Sequence, residues 1–300
     1  MSSSYRSILL LLATMTIWGS TFVVTKDLIV DLPPFTAAFA RVAIGALVLA
    51  PLAITRHRGG PRLPWRALVV MSFFGVTFYY LMFNLALKYT SAVQGALVQS
   101  SIPAATALAA VFWLRERATA VRWLGIGLSM LGVLIIFSGG GSVGAERPLL
   151  GNALMFASVL AWGFYTSLAK RVAAIDAIVT TACIMALGGA MLAPIAAYEL
   201  IGYGWPTLSA KSWAGLVYLG AMASGAAYVL YNGALKHMDA SQAGAYTNLI
   251  PVVGVLAGVI LLEEPLSARA IIGGLVVMAG VWVASRSEKP ASDAAVADAA

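Results

Sequence analysis

The sequence predicts an all-α polytopic membrane protein, with ten transmembrane helices arranged as two inverted five-helix repeats around a central cavity. Two observations on composition predict the membrane class: 61% of the 300 residues are hydrophobic, and only 10% are charged. Soluble domains contain about 45–50% apolar and about 25% charged residues. A third observation, an internal repeat, predicts how the helices are arranged.

Composition also excludes several function classes. The formal charge of +7 comes from only 19 Lys and Arg residues, most of them in loops, so we expect no nucleic-acid partner. The single cysteine, Cys183, excludes an internal disulfide and a multi-thiolate metal site. Only His57 and His237 remain as histidine ligands. Without a phosphate-binding loop or a nucleophile–base pair, we predict no catalytic residue, no metal and no cofactor.

Ten apolar stretches are long enough to cross the membrane, because a spanning helix needs about 20 residues for hydrocarbon about 30 Å thick. Short turns containing Pro, Gly or charged residues separate them. The first stretch resembles a signal peptide but lacks a cleavage site with small residues, so we predict that it is retained. In chain order the stretches are approximately 6–26, 35–55, 66–87, 91–113, 121–139, 150–171, 177–199, 212–235, 240–262 and 268–285.

An internal repeat divides these stretches into two sets of five. At an offset of 148 residues, residue types that are unusual in apolar helices recur; the matched pairs are Tyr80 and Tyr228, Asn84 and Asn232, Pro103 and Pro251, Glu116 and Glu264. At an offset of 144, Trp18 meets Trp162. Because five is odd, the second set enters the membrane from the opposite side, as in many secondary transporters. We predict repeats at 1–143 and 144–287, followed by a disordered cytoplasmic tail at 288–300.

Basic residues predict the orientation, because short cytoplasmic loops carry an excess of Lys and Arg. Most of the basic residues lie in loops on the same side as the N-terminus. The bias is sharp in the first half of the chain and weak in the second. We therefore predict that both termini are cytoplasmic.

Matched aromatic and polar residues at mid-span depth are the candidate substrate-binding residues, because transporter sites lie near the midplane between repeats. Trp18 and Trp162 are both near mid-span, and two facing indoles would form a wall for a flat ligand. Packing of the helices beside Gly19 and Gly163 is the alternative interpretation. The Asn residues could likewise bond between helices rather than line the cavity.

Two prolines lie inside predicted spans, where each removes one backbone hydrogen bond and kinks its helix. Polar side chains cluster beside Pro103 and Pro251. Backbone groups without partners are tolerated at membrane depth where they line a cavity, so we predict that both kinks do so. The predicted substrate-binding residues are Trp18, Tyr79, Tyr80, Asn84, Gln99, Ser100, Trp162, Tyr228, Asn232, Tyr246 and Asn248.

Arg41 lies about two turns into the second span, where charge is costly and usually functional. It could bind a substrate carboxylate in a bidentate manner, pair with Asp27 or Asp31, or extend to the interface. No acidic residue lies deep in a span. We therefore expect a facilitator or exchanger, or coupling through other groups.

Four segments carry a family resemblance: Thr16–Ser20 in the first span, Pro34 followed by Arg41 in the second, and the span endings Trp113–Arg117 and Leu261–Pro265. With them, the chain resembles the EamA-type branch of the drug/metabolite transporter superfamily. The resemblance implies ten helices, inverted repeats, a central cavity formed mostly by helices 1, 3, 4, 6, 8 and 9, and export of metabolites from the bacterial cytoplasm.

Within that superfamily the aromatic-rich central helices are most similar to those of bacterial aromatic amino-acid exporters. We predict a secondary transporter or facilitator of the bacterial inner membrane that exports small metabolites, including aromatic amino acids, by alternating access. An exporter of drugs or other metabolites with a promiscuous apolar cavity is the alternative, and a non-transporting partner protein is a third class. The predicted partners are the small-molecule substrate and the lipid bilayer, and a monomer is compatible with the sequence.

Overall fold

The computed structural model describes residues 3–58, 62–113, 115, 118–138, 147–169, 172, 174–235 and 246–285. Within these ranges the chain is helical and has no β-strand. The helices are α1 (Ser3–Asp31), α2 (Pro34–His57), α3 (Trp65–Ser72), α4 (Tyr79–Tyr89), α5 (Ala92–Gln99), α6 (Ile102–Trp113), α7 (Ala120–Ser138), α8 (Pro148–Ala169), α9 (Ala177–Tyr203), α10 (Ala210–Val217), α11 (Ala227–Leu235), α12 (Leu249–Leu261) and α13 (Ala268–Ser285).

Nine segments of the described chain are long and apolar enough to cross a membrane. Helix α12, with 13 residues, is a shorter apolar helix in the position of the predicted ninth span. Residues 240–245, the first part of that predicted span, lie outside the described residues, as do Glu116 and the predicted tail at 288–300. The structure therefore supports a multi-pass helical membrane protein, and the count of ten spans stays a prediction.

Small residues hold the helices together. Gly125 of α7 lies against Ala284 of α13, and Gly132 lies against Val277, so these two helices run antiparallel. A Cβ atom at Gly280 would lie 2.3 Å from the backbone nitrogen of Ser129. Lipid supplies no hydrophobic drive for helix association, so close backbone approach and dispersion must supply it.

Two spans contain a π-helical segment that the sequence did not predict. One is Phe73–Phe78, between α3 and α4, and the other is Tyr218–Ala226, between α10 and α11. Shifted by 148 residues, the first segment falls inside the second, so both halves have the irregularity at equivalent positions. π-helical turns change the side-chain register and are frequent at functional sites.

The predicted fourth span contains a two-residue turn next to its predicted kink. Helix α5 ends at Gln99 and α6 begins at Ile102, so Pro103 lies in the first turn of a new helix. Pro251 likewise lies in the first turn of its helix, as the third residue of α12. The α-helix is thus disturbed just before each predicted kink, where proline lacks the N–H for a helical hydrogen bond.

Candidate functional site

A cavity of about 950 Å³ lies between the helices and contains most of the predicted site residues. Its inner end is lined by Phe22 of α1 and Phe83 of α4. From there it extends to the face of the bundle where α13 ends, at Ser285, and where α7 and α9 begin. We call this the α13-end face, and the opposite one, where α4 ends and α5 begins, the α5-start face.

Two aromatic groups form the walls of the cavity. Trp18 packs against Tyr228 and Tyr231 at ring-centroid distances of 5.3 and 5.5 Å. Trp162 packs against Tyr79 and Tyr165, both at 5.0 Å. These separations are typical of favourable edge and tilted aromatic contacts.

The two tryptophans thus belong to different aromatic groups, and the arrangement of the two indoles facing each other across the cavity stays a prediction. Trp18 from the first half packs against tyrosines of the second half, whereas Trp162 packs against Tyr79 of the first. Both indoles nevertheless line the cavity. The alternative interpretation also describes part of the structure, because Gly19 and Gly163 pack closely against Val253 and Ala105.

A π-helical segment and a broken helix orient two of these aromatic side chains. The indole N–H of Trp18 donates to the carbonyl of Ala223, inside the segment Tyr218–Ala226, at 3.1 Å. The side-chain N–H of Gln99, at the end of α5, donates to the Tyr79 hydroxyl at 3.1 Å. The indole N–H of Trp18 and the hydroxyl of Tyr79 thus have fixed hydrogen-bond partners, and both partners lie where the helix geometry is irregular.

Most of the predicted substrate-binding residues lie on the cavity surface. They are Trp18, Tyr79, Tyr80, Gln99, Ser100, Trp162, Tyr228 and Asn248, together with both prolines and Arg41. Three do not. Asn84 is fully buried and donates to the carbonyl of Pro34 at 3.0 Å, so it joins α4 to α2. Tyr246 packs against the buried cluster of Leu11 and Met15, and the side chain of Asn232 lies outside the described residues.

Arg41 is buried, with 3% of its surface exposed, and it lines the cavity. Its Cζ atom lies 4.4 Å from the ring centroid of Tyr80. Its Nε and Nη1 atoms have no hydrogen-bond partner in the part of the chain that the structure describes. The two structural alternatives for this residue were wrong: Asp27 pairs with Lys211, Asp31 binds Ser212 and the guanidinium does not reach the surface.

Comparison with known proteins identifies the family. The profile of the EamA-like transporter family matches the chain twice, at residues 5–138 and 149–286. The chain belongs to the EamA-like transporter family. Its resemblance to this family, seen in the sequence motifs, is thereby confirmed, and the chain is a membrane transporter rather than an enzyme.

Similar proteins with transporter names align with most of this chain. This EamA-like transporter is 30% identical over 282 residues to an uncharacterized transporter of Archaeoglobus fulgidus, covering 93% of this chain and 98% of the relative. It is 27% identical over 279 residues to the uncharacterized transporter YetK of Bacillus subtilis, covering 91% and 84%. A crystal structure at 22% identity matches with a TM-score of 0.63, covering 94% of this chain and 99% of the other, which supports the fold.

The cavity of this EamA-like transporter also contains residues that were not among the predicted site residues. Tyr165 could have been found, because it lies three positions after Trp162 and so shares a helix face. The threonines gave no signal, since hydroxyls in apolar helices usually bond to their own backbone; Thr106 and Thr166 both do so and also contact each other at 3.1 Å. The polar and aromatic residues of the cavity that were not among the predicted site residues are Thr21, Thr106, Arg122, Tyr165, Thr166, Thr180, Thr181, Tyr231 and Thr247.

Proposed function

We propose that this EamA-like transporter exports small metabolites, aromatic amino acids among them, by alternating access of two inverted five-helix repeats. The supporting observation is the cavity of about 950 Å³ with an indole and two tyrosine rings on each of two walls. Cavities of about 300–1,000 Å³ are usual for small-molecule ligands. Flat apolar ligands gain affinity from such walls by burying area and by edge or offset stacking.

The polar groups in this cavity favour a ligand with a polar end. The hydroxyls of Tyr79 and Thr106 and the amide of Gln99 lie beside the aromatic rings. A binding site with a few polar groups on an apolar wall fixes the orientation of its ligand as well as its affinity. An amino acid with an aromatic side chain has both parts.

Alternating access is supported by the equivalence of the two halves. Both halves contain a π-helical segment before the matched tyrosine, Tyr80 or Tyr228, and a helix that begins just before the matched proline, Pro103 or Pro251. Discontinuous helices at equivalent positions of two inverted repeats are characteristic of secondary transporters. The cavity reaches the α13-end face and stops short of the α5-start face. A transporter that works by alternating access has such a one-sided cavity in each of its two end states.

We place the protein in the bacterial inner membrane with both termini in the cytoplasm, so that the α13-end face is cytoplasmic. This orientation can be tested with single cysteines in a Cys183→Ser background. Thr207 and Arg66 are both exposed and lie on predicted opposite sides. A membrane-impermeant maleimide added to intact cells should label Thr207→Cys and spare Arg66→Cys, and the reverse pattern would overturn the orientation.

Transport is tested by counterflow in proteoliposomes preloaded with millimolar unlabelled phenylalanine, without an ion gradient. Transient accumulation of labelled phenylalanine above that of empty liposomes is expected. Trp162→Ala should abolish most of it, whereas Trp213→Ala, at an exposed position on α10, should not. Absence of accumulation by monodisperse protein, with and without a pH gradient, would contradict the aromatic amino-acid substrate and favour a drug or another metabolite.

A further inference from the structure

We infer that Arg41 is the anion-recognition group of the cavity, and that the transported substrate carries a carboxylate beside its flat apolar part. The inference rests on the proposed function, because it concerns the ligand of the same cavity. It excludes organic cations as good substrates, and in that way it separates the two substrate classes that the sequence left open.

The position of Arg41 is the first step. It lies seven residues after the start of α2, and only 3% of its surface is exposed, because other residues cover the rest. A buried cation at such a depth is costly unless it is paired or hydrated. Because Arg41 lines the cavity, this is the side from which a partner can reach it.

The geometry of the guanidinium is the second step. Its Cζ lies over the ring of Tyr80 at 4.4 Å, a cation–π contact that uses the face of the group. The N–H donors of a guanidinium lie in its plane, so this contact leaves them free to bind an acceptor. The buried Nε and Nη1 atoms have no hydrogen-bond partner among the described residues.

The acidic residues of the nearest helix ends already have other partners. Asp27 forms an ion pair with Lys211 at 2.7 Å. Asp31 accepts from the Ser212 hydroxyl at 2.7 Å. Glu199 accepts the backbone N–H of Thr36 at 2.7 Å, at the start of the helix that carries Arg41.

The charge of the cavity is the third step. Its described lining contains the buried guanidinium of Arg41 and no carboxylate. A cavity with this lining attracts anions and repels cations. A planar carboxylate also matches the donor geometry of a guanidinium, since two parallel N–H groups can bind its two oxygens.

This arrangement predicts an order among ligands that share one aromatic skeleton. 3-Phenylpropionate, an anion, has the group that Arg41 can bind and no group that the cavity repels. Phenylalanine has the same carboxylate but must place its ammonium among hydroxyls and carbonyls. Phenethylamine, a cation, lacks the carboxylate and brings only the repelled charge.

The test measures how each of these three ligands inhibits counterflow in proteoliposomes and how each binds to purified protein by calorimetry. In wild-type protein, we expect 3-phenylpropionate and phenylalanine to bind and phenethylamine to bind at least tenfold more weakly than either. Arg41→Gln should weaken both carboxylates by at least about thirtyfold, because it removes one partner of a buried charge pair. It should leave phenethylamine unchanged or improve its binding.

Two further variants keep the test decisive. Arg41→Lys retains the charge without the planar donor pair, so it should weaken carboxylate binding less than Arg41→Gln does. Arg58→Gln, at an exposed position just beyond the other end of α2, should behave like wild type. If Arg41→Gln fails to fold, the comparison of Arg41→Lys with wild type replaces it.

The outcomes separate the inference from the proposed function. Equal binding of carboxylates by folded Arg41→Gln and wild type, with transport intact, would overturn the inference and leave the proposed function standing. Binding of 3-phenylpropionate that depends on Arg41, without counterflow of phenylalanine, would support the anion site and overturn the amino-acid substrate. Stronger binding of phenethylamine than of the carboxylates by the wild type would overturn the anion site.

Discussion

The carboxylate of Glu264 accepts the backbone N–H of Ala92 at 2.8 Å, and thereby connects the loop after α12 to the first turn of α5. Its second oxygen accepts the N–H of Val93, also at 2.8 Å. The first N–H groups of a helix have no partner within it, and a negative charge there is favourable. Nearby, Lys26 donates to the carbonyls of Leu87 and Thr90 at the end of α4. Two charged side chains thus bind helix ends at the α5-start face, and one of them, Glu264, does so across the halves.

This relationship predicts a loss of stability when Glu264 is changed. Glu264→Gln keeps one oxygen acceptor and loses the charge and the second acceptor. We expect the free energy of unfolding to fall by about 1–2 kcal/mol, measured by SDS titration in mixed micelles. The matched control is Glu263→Gln, because Glu263 is exposed. The backbone of Glu263 has a positive φ of 53°, and glutamate and glutamine adopt this conformation equally well. Equal effects of the two substitutions would contradict the role of Glu264.

The contact of α7 with α13 predicts that a single methyl group will separate these helices. A Cβ at Gly280 would lie 2.3 Å from the Ser129 nitrogen, so Gly280→Ala must move backbone. We expect a loss of about 1–3 kcal/mol, as is typical of overpacking, seen as a lower unfolding temperature. Gly127→Ala on α7 is the control, because a Cβ there meets nothing within 4 Å. It should be neutral or slightly stabilising, since alanine favours helix.

The place of Asn84 predicts an effect on stability rather than on substrate recognition. Its side chain is fully buried and donates to the carbonyl of Pro34 at 3.0 Å. Asn84→Ala should therefore lower the free energy of unfolding by about 1–3 kcal/mol and leave the half-maximal substrate concentration of counterflow near its wild-type value. A large rise in that concentration in folded protein would show that Asn84 contacts the ligand after all.

The indole N–H of Trp18 predicts a separate effect of hydrogen bonding within the aromatic wall. Trp18→Phe keeps an aromatic ring beside Tyr228 but loses the donor to the carbonyl of Ala223, which lies at 3.1 Å. We expect a stability loss of about 1 kcal/mol together with weaker substrate counterflow, because the wall becomes free to turn. Trp213→Phe, on an exposed surface of α10, should change neither quantity.

Much of the fold could be predicted because membrane helices follow a simple rule of length and polarity. Each long apolar stretch found in the sequence corresponds to a helical span of the structure, in places interrupted, apart from the ninth, of which residues 246–262 are described. The helix breaks before Pro103 and Pro251 were also signalled locally, though as kinks. The π-helical segments were not, because they depend on which neighbouring groups accept and donate around them, such as the Trp18 indole at Ala223.

The sequence by itself determined that the chain crosses a membrane many times, that its two halves are related, and that aromatic residues and one deep arginine are the unusual features of its spans. These properties depend on residue type and spacing along one helix. Only the tertiary structure decided that Trp18 and Trp162 lie in separate aromatic groups, that Asn84 joins two helices, and that Arg41 lines the cavity with two N–H groups that have no hydrogen-bond partner among the described residues. Helices that are apolar on every side have little periodicity to show which face turns inward, so the packing of neighbouring helices decides it.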